Sequence, residues 1–241
     1  MSTPTLPGSK PRKPVNLHGD DLWWQLEDEL PEYAQRHLDV ARAGDADEAE
    51  SLCFAAPNEY RGLIALAAFW SGVPNPAYRE IMRTVWNHDH GFLLGAVQND
   101  RRLIRRMFRA AAFEHPFSRA ITVYRGAAGV NAVTASKGLS WTTSRDVACW
   151  FAYRFQGDRP PIVLRATVDA ADVVFWDDER NEQEVIFKRP FSFEVDPDPD
   201  TWFQAAGRLR RRRKRHQAAR LRKFMRESSS LAGSSSVAAA A

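Results

Sequence analysis

Two carboxylates stand two residues apart in the stretch "WDDERNEQEVIF", where an acidic turn meets an apolar run. They are Glu182 and Glu184, and residues 185–187 follow as the buried part of a short strand. In an extended chain, residues i and i+2 point to the same face, so this spacing aims two like charges at one place. Such an arrangement is unfavourable unless a cation lies nearby. The pair therefore predicts a site that handles positive charge.

Two further segments carry residue types that suit phosphate and sugar chemistry. Arg125 ends a predicted strand, "ITVYRG", beside Gly126, and the hydroxyls of Thr142, Thr143 and Ser144 run from a strand into a helix. A planar guanidinium can bind a pyrophosphate through two parallel hydrogen bonds. Taken singly, the segments have ordinary interpretations as a strand-edge arginine and a helix cap. Their order before the Glu-x-Glu pair indicates a common site.

That order resembles the mono-ADP-ribosyltransferases, whose signature is Arg, then Ser-Thr-Ser, then Glu-x-Glu. The resemblance covers roughly residues 118–195. It departs from the family at Thr142, where serine is usual, and in the short spacing between Arg125 and Glu184. The resemblance implies an α+β fold with a helical N-terminal lobe followed by a small split β-sheet core that binds NAD.

The resemblance also implies catalytic roles. Loss of nicotinamide from NAD leaves positive charge at the ribose C1′, much as in glycoside hydrolysis. A carboxylate held at the ribose stabilises that charge, and the resemblance gives this role to Glu184, oriented by Thr142 and Ser144. It assigns Glu182 to the incoming acceptor, which is commonly an arginine, and Arg125 to the pyrophosphate.

An NAD-binding set surrounds these residues in the same resemblance. Phe151 is the candidate to pack against nicotinamide, although a core position in the helix predicted from Ser144 explains it equally well. NAD would be a co-substrate, with no permanently bound cofactor and no metal. The NAD-binding set is Arg125, Gly126, Thr142, Thr143, Ser144 and Phe151.

Helical signals dominate from residue 20 to about 115, and short strands follow. Asn58 and Asp100 are candidate N-caps, and Pro116 closes the last of these helices. The segment 162–168 alternates apolar and polar residues, as a half-buried strand does. We predict a disordered lead-in at 1–18 and a helical lobe at 19–116. An ADP-ribosyltransferase-like core follows at 117–206 and a disordered tail, basic and then Ser/Ala-rich, at 207–241.

The composition favours a globular protein of the cytoplasm. The chain has 241 residues, 44% of them hydrophobic, and nothing approaches the run of about 20 apolar residues that a bilayer needs. Its two cysteines, Cys53 and Cys149, lie in apolar helical patterns and favour a reducing compartment. Delivery to another cell stays open.

One segment makes the chain basic. Between residues 207 and 227 there are eleven Lys or Arg and a single acid, whereas the whole chain carries only +4. Such a run binds phosphate polymers with an affinity that falls as salt rises. We expect it to be a solvated tail that binds nucleic acid non-specifically and that the core can lose.

Together these features predict transfer of ADP-ribose from NAD to a macromolecular acceptor, most simply a protein arginine. The partners would be NAD and that protein, with no membrane. One alternative is an NAD glycohydrolase, in which water takes the acceptor's place. The other is a catalytically silent core whose basic tail binds nucleic acid.

Overall fold

The computed structural model describes residues 19–154 and 159–237. The chain divides into two compact units after Ala111, a few residues before the expected boundary. The predicted lead-in, 1–18, lies outside the described residues, and the first helix begins at Gly19. Among the described helices none has the length and apolar character that a bilayer crossing requires.

The first unit consists of helices. Their bounds are α1 Gly19–Glu29, α2 Glu32–Gln35, α3 Leu38–Ala43, α4 Ala46–Ala55, α5 Asn58–Ser71, α6 Asn75–Ala96 and α7 Arg101–Ala111. The predicted cap at Asp100 is confirmed, because its Oδ1 accepts hydrogen bonds from the backbone N–H groups of residues 102 and 103. Asn58 is not a cap. Pro57 holds that position, and Asn58 is the first helical residue.

The second unit contains a six-stranded sheet in which each neighbouring pair is antiparallel. Its strands are β1 Ile121–Ala128, β2 Trp141–Thr142, β3 Pro161–Val168, β4 Val173–Asp177, β5 Glu184–Phe187 and β6 Glu194–Val195, in the order β4-β5-β2-β1-β3-β6. Three helices accompany them: α8 Ala132–Ser136, α9 Arg145–Arg154 and α10 Trp202–Val237. The fold is therefore α+β, with a helical N-terminal part followed by an antiparallel sheet.

The two faces of this sheet bury different residues. Leu164, Ala166 and Val168 of β3 join one apolar cluster, whereas the intervening Val163 packs with residues of α9 and α10 in another. The predicted alternation along 162–168 is therefore confirmed. One face of the sheet is thus covered by the two long helices of this unit.

The C-terminal segment is a helix, which corrects the expectation of a disordered tail. Ala205, Ala206 and Leu209 are buried, with Leu209 only 2% exposed, and Trp202 before them is buried as well. These four follow the i, i+3, i+4, i+7 spacing of a helix that packs on a core. This apolar stripe continues past the predicted boundary at 206/207. In the sequence, the arginines around Leu209 mask its helical spacing. Residues 238–241 lie outside the described part.

Candidate active site

Three neighbouring strands carry the predicted site residues. Thr142 of β2 lies opposite Glu184 of β5 on one side and opposite Tyr124 of β1 on the other. Directly opposed residues in antiparallel strands project from the same face of the sheet. Thr142 and Glu184 are therefore neighbours on one face, although forty-two positions separate them in the chain.

Hydrogen bonds join the hydroxyl turn to the Glu-x-Glu segment. Thr142 Oγ1 donates to the carbonyl of Glu182 at 2.6 Å and accepts from the N–H of Ser144 at 3.0 Å. Thr143 donates from its hydroxyl to Gln183 Oε1 at 2.9 Å, and its N–H donates to the Gln183 carbonyl at 3.1 Å. Thr142 and Thr143 thus fix the backbone that carries the carboxylates.

Ser144 caps α9, as the sequence predicts. Its Oγ accepts a hydrogen bond from the N–H of Val147 at 3.4 Å. This contact assigns the hydroxyl to the helix, and its predicted part in orienting Glu184 stays a prediction. The cap matters to the site because it fixes where α9 begins beside β2.

The two carboxylates converge on cations supplied by the chain itself. Nη2 of Arg180 lies 2.8 Å from Glu184 Oε2 and 3.5 Å from Glu182 Oε2. Nη2 of Arg213, on α10, lies 3.2 Å from Glu182 Oε1. Glu184 is 6% exposed, so its charge is largely withdrawn from water and depends on such partners. The predicted requirement for positive charge is met.

The convergence arises from the loop before β5, which corrects the expectation of a strand-like Glu-x-Glu. β5 begins at Glu184, and Gln183 before it has a φ of 49°. Asn181 is also left-handed, with a φ of 53°. Non-glycine residues rarely adopt this conformation, although asparagine does so more readily than most, and strained residues cluster at functional sites. The bent loop therefore aims the two carboxylates.

Arg125 is not gathered with the carboxylates. It follows Tyr124 along β1, so its side chain projects from the face opposite Glu184. Its Nε donates to the carbonyl of Ala135 at 2.7 Å, and its Nη1 donates to the carbonyl of Ser140. A Cβ at Gly138 would lie 1.9 Å from the guanidinium carbon. Arg125 thus holds the α8–β2 segment, and pyrophosphate binding stays a prediction.

Gly126 and Phe151 have structural explanations. A Cβ at Gly126 would lie 1.7 Å from the carbonyl oxygen of Ala148, so the missing side chain lets α9 pack directly on β1. Phe151 is half-buried on α9 and packs edge-on against Trp150 at 5.0 Å between ring centroids. NAD binding by Gly126 and nicotinamide contact by Phe151 stay predictions.

The interpretation of the sequence missed three residues of the site. Arg180 lies in the acidic turn, where its spacing of four residues from Glu184 is the only available signal. Trp150 lies beneath Arg213, whose guanidinium carbon is 4.1 Å from a ring centroid of the indole. No local pattern marks Arg213, because it is one of many arginines in α10.

A groove of about 780 Å³ opens between the β4–β5 loop and α10. Four arginines line it, together with His216 and the acidic Asp178; the arginines are Arg180, Arg212, Arg213 and Arg220. This side of the Glu182 carboxylate is therefore strongly positive.

A second network anchors α10 to α9. Asp196 accepts from Nε and Nη2 of Arg145 at 2.8 and 2.5 Å and from the indole N–H of Trp202 at 2.8 Å. Burial raises the pKa of Asp196, but these hydrogen bonds outweigh it and the pKa is lowered overall. Burial raises the pKa of the nearby Cys149 thiol to about 11, which leaves it protonated at neutral pH and unsuited to act as a nucleophile.

Comparisons of this chain with protein-family models, with curated proteins and with solved structures found no match.

Proposed function

We propose that the second unit transfers ADP-ribose from NAD to an acceptor, with Glu184 as the carboxylate that stabilises the ribose cation. One observation carries the proposal. A buried carboxylate on β5 lies in register with a hydroxyl on β2, and a second carboxylate two residues away shares its cationic partner. This arrangement matches the chemistry that the resemblance to mono-ADP-ribosyltransferases implies.

Glu184 would act through its charge. As the bond between C1′ and the nicotinamide nitrogen breaks, the bonding electrons leave with nicotinamide and the ribose becomes cationic. A carboxylate withdrawn from water stabilises such charge more strongly than an exposed one does. Arg180 now neutralises Glu184, so Arg180 would have to move aside when the ribose binds. Its side chain is 37% exposed, which leaves room for that movement.

Glu182 would orient the acceptor. Two guanidinium groups already lie within 3.5 Å of its carboxylate, which supports an arginine acceptor. Attack of a guanidinium nitrogen on C1′ forms the new bond and releases one proton, which Glu182 is positioned to accept. With water in place of arginine, the same site would hydrolyse NAD.

The test is incubation of the protein with NAD labelled in its adenylate part. Label on a protein acceptor supports transfer, and free ADP-ribose supports hydrolysis. Label on nucleic acid would mean that the acceptor is a polynucleotide and not a protein. If no product carries label, the proposal of an enzyme is rejected. The alternative of a catalytically silent core with a basic helix then remains.

A second candidate, binding of a phosphate polymer, is favoured by the exposure of α10. Residues 210–212 and 214–215 are all cationic and exposed, and Arg212 among them lines the groove between α10 and the β4–β5 loop. Such a surface attracts nucleic acid in a salt-dependent way. This binding can accompany catalysis or replace it.

A further inference from the structure

Arg213 is held by two groups at once. Its guanidinium carbon lies 4.1 Å from a ring centroid of Trp150, and its Nη2 lies 3.2 Å from Glu182 Oε1. A planar cation between an aromatic face and a carboxylate is a recurrent solution for binding a guanidinium. The pair of contacts describes a guanidinium site that is already filled.

We propose that Trp150 and Glu182 form the subsite for the acceptor guanidinium, and that Arg213 fills it as an internal mimic of the acceptor. The inference rests on the proposed function, because Glu182 is the residue assigned to the acceptor. Trp150 is then a specificity residue that favours a flat cation over an ammonium. The C-terminal helix restrains transfer by competing with the acceptor.

The position of Arg213 on α10 fits a removable occupant. Of the side chains described between 210 and 223, Arg213 is the only one that is not exposed. The helix is anchored earlier, by Trp202 and Leu209 in the core and by Arg208, which donates to Asp146 at 2.7 Å. Release of Arg213 would therefore leave the docked part of the helix in place.

The contacts that hold Arg213 in the subsite are weak enough for a competitor to break them. The Arg213 side chain is 32% exposed, and half-exposed ion pairs and cation–π contacts each contribute modestly. An arginine acceptor at sufficient concentration can thus displace Arg213. A polyanion that binds the exposed arginines of α10 would also favour the release of Arg213 from Glu182.

The direct test measures guanidinium binding without NAD. Agmatine, a small guanidinium compound, is titrated by NMR into the wild-type protein and into Arg213→Ala. We expect binding about three- to tenfold tighter in Arg213→Ala, the range that one lost half-exposed competitor contact spans. Arg210→Ala removes the same charge from an exposed position of the same helix and is the matched control. Equal affinities in all three proteins would overturn the proposal.

Two further variants test the stacking partner and the shape of the cation. In the Arg213→Ala background, Trp150→Leu should weaken agmatine binding, while butylamine, an ammonium, should bind poorly with or without the indole. Arg213→Lys keeps the charge but loses the flat fork, so it should open the subsite in part. If Trp150→Leu leaves agmatine affinity unchanged, the ring is not part of the subsite.

Turnover separates this inference from the proposed function. With NAD and agmatine, Arg213→Ala should lower the KM for agmatine and raise the ratio of transfer to hydrolysis. If NAD is cleaved but that ratio stays at the wild-type value, the internal mimic is wrong while the proposed function stands. If no variant cleaves NAD, the proposed function fails and the assignment of the subsite to an acceptor falls with it, whatever the NMR affinities show.

Discussion

Replacement of Glu184 by glutamine tests the centre of the proposed chemistry. The substitution keeps the size of the side chain and removes its charge. Glu184 is 6% exposed and lies opposite Thr142, so its charge acts where water screens it little. Loss of one transition-state electrostatic contact of this kind costs about 2.7–4 kcal/mol, or about 100- to 1000-fold in kcat. We expect NAD cleavage to fall by that factor.

The same change should barely affect folding. Its main loss is the pairing of Glu184 with Arg180 at 2.8 Å, and Arg180 is 37% exposed and retains Glu182 as a partner. Glutamine leaves no charge buried without a partner, and Arg180 at its exposed position can pair with Glu182 or with water. The amide can still accept a hydrogen bond from Arg180. The unfolding free energy should therefore change by less than about 1 kcal/mol.

The assay is release of nicotinamide at saturating NAD, with denaturant unfolding followed in parallel. Glu179→Gln makes the same chemical change at an exposed position of the same loop and serves as the matched control. Cleavage by Glu184→Gln at the rate of the control would refute the assignment of Glu184. A parallel loss of stability and activity would show that Glu184 supports the fold.

Three other perturbations follow from the structure. Glu182→Gln should lower transfer to agmatine much more than it lowers NAD hydrolysis, because water needs no carboxylate to orient it. If an assay of ADP-ribosyl-agmatine and free ADP-ribose shows equal losses, Glu182 does not orient the acceptor. Leu209→Ala should lower the unfolding free energy of the second unit by about 2–4 kcal/mol, since Leu209 is 2% exposed; thermal unfolding that matches the wild type would mean that α10 is not docked. Asp196→Asn should destabilise the protein at pH 7, and the difference from the wild type should shrink as pH falls below about 4. The lowered pKa of Asp196 means that its stabilisation is present above the unfolded value and is lost as the folded carboxylate protonates; a difference in urea midpoint that is constant down to pH 2 would contradict this.

Local physical chemistry made several features readable from the sequence. The cap at Asp100, the cap at Ser144 and the alternation along 162–168 depend on neighbours within a few residues, so composition and spacing predict them. The order of a helical part before a strand-rich part follows from the change in hydrophobic period after Pro116. The sequence also indicated that Glu182 and Glu184 need positive charge.

Only the tertiary structure decided which groups meet. Arg125 and Glu184 lie on opposite faces because Thr142 pairs with Tyr124 and not with its neighbour, and a shift of one residue in that register would reverse the result. Arg213 reaches Glu182 because Trp202, Ala205 and Ala206 pack α10 on α9. Strand register and helix docking are set by contacts between distant parts of the chain. A local sequence pattern therefore predicts which charged residues belong to the site but not which groups they contact.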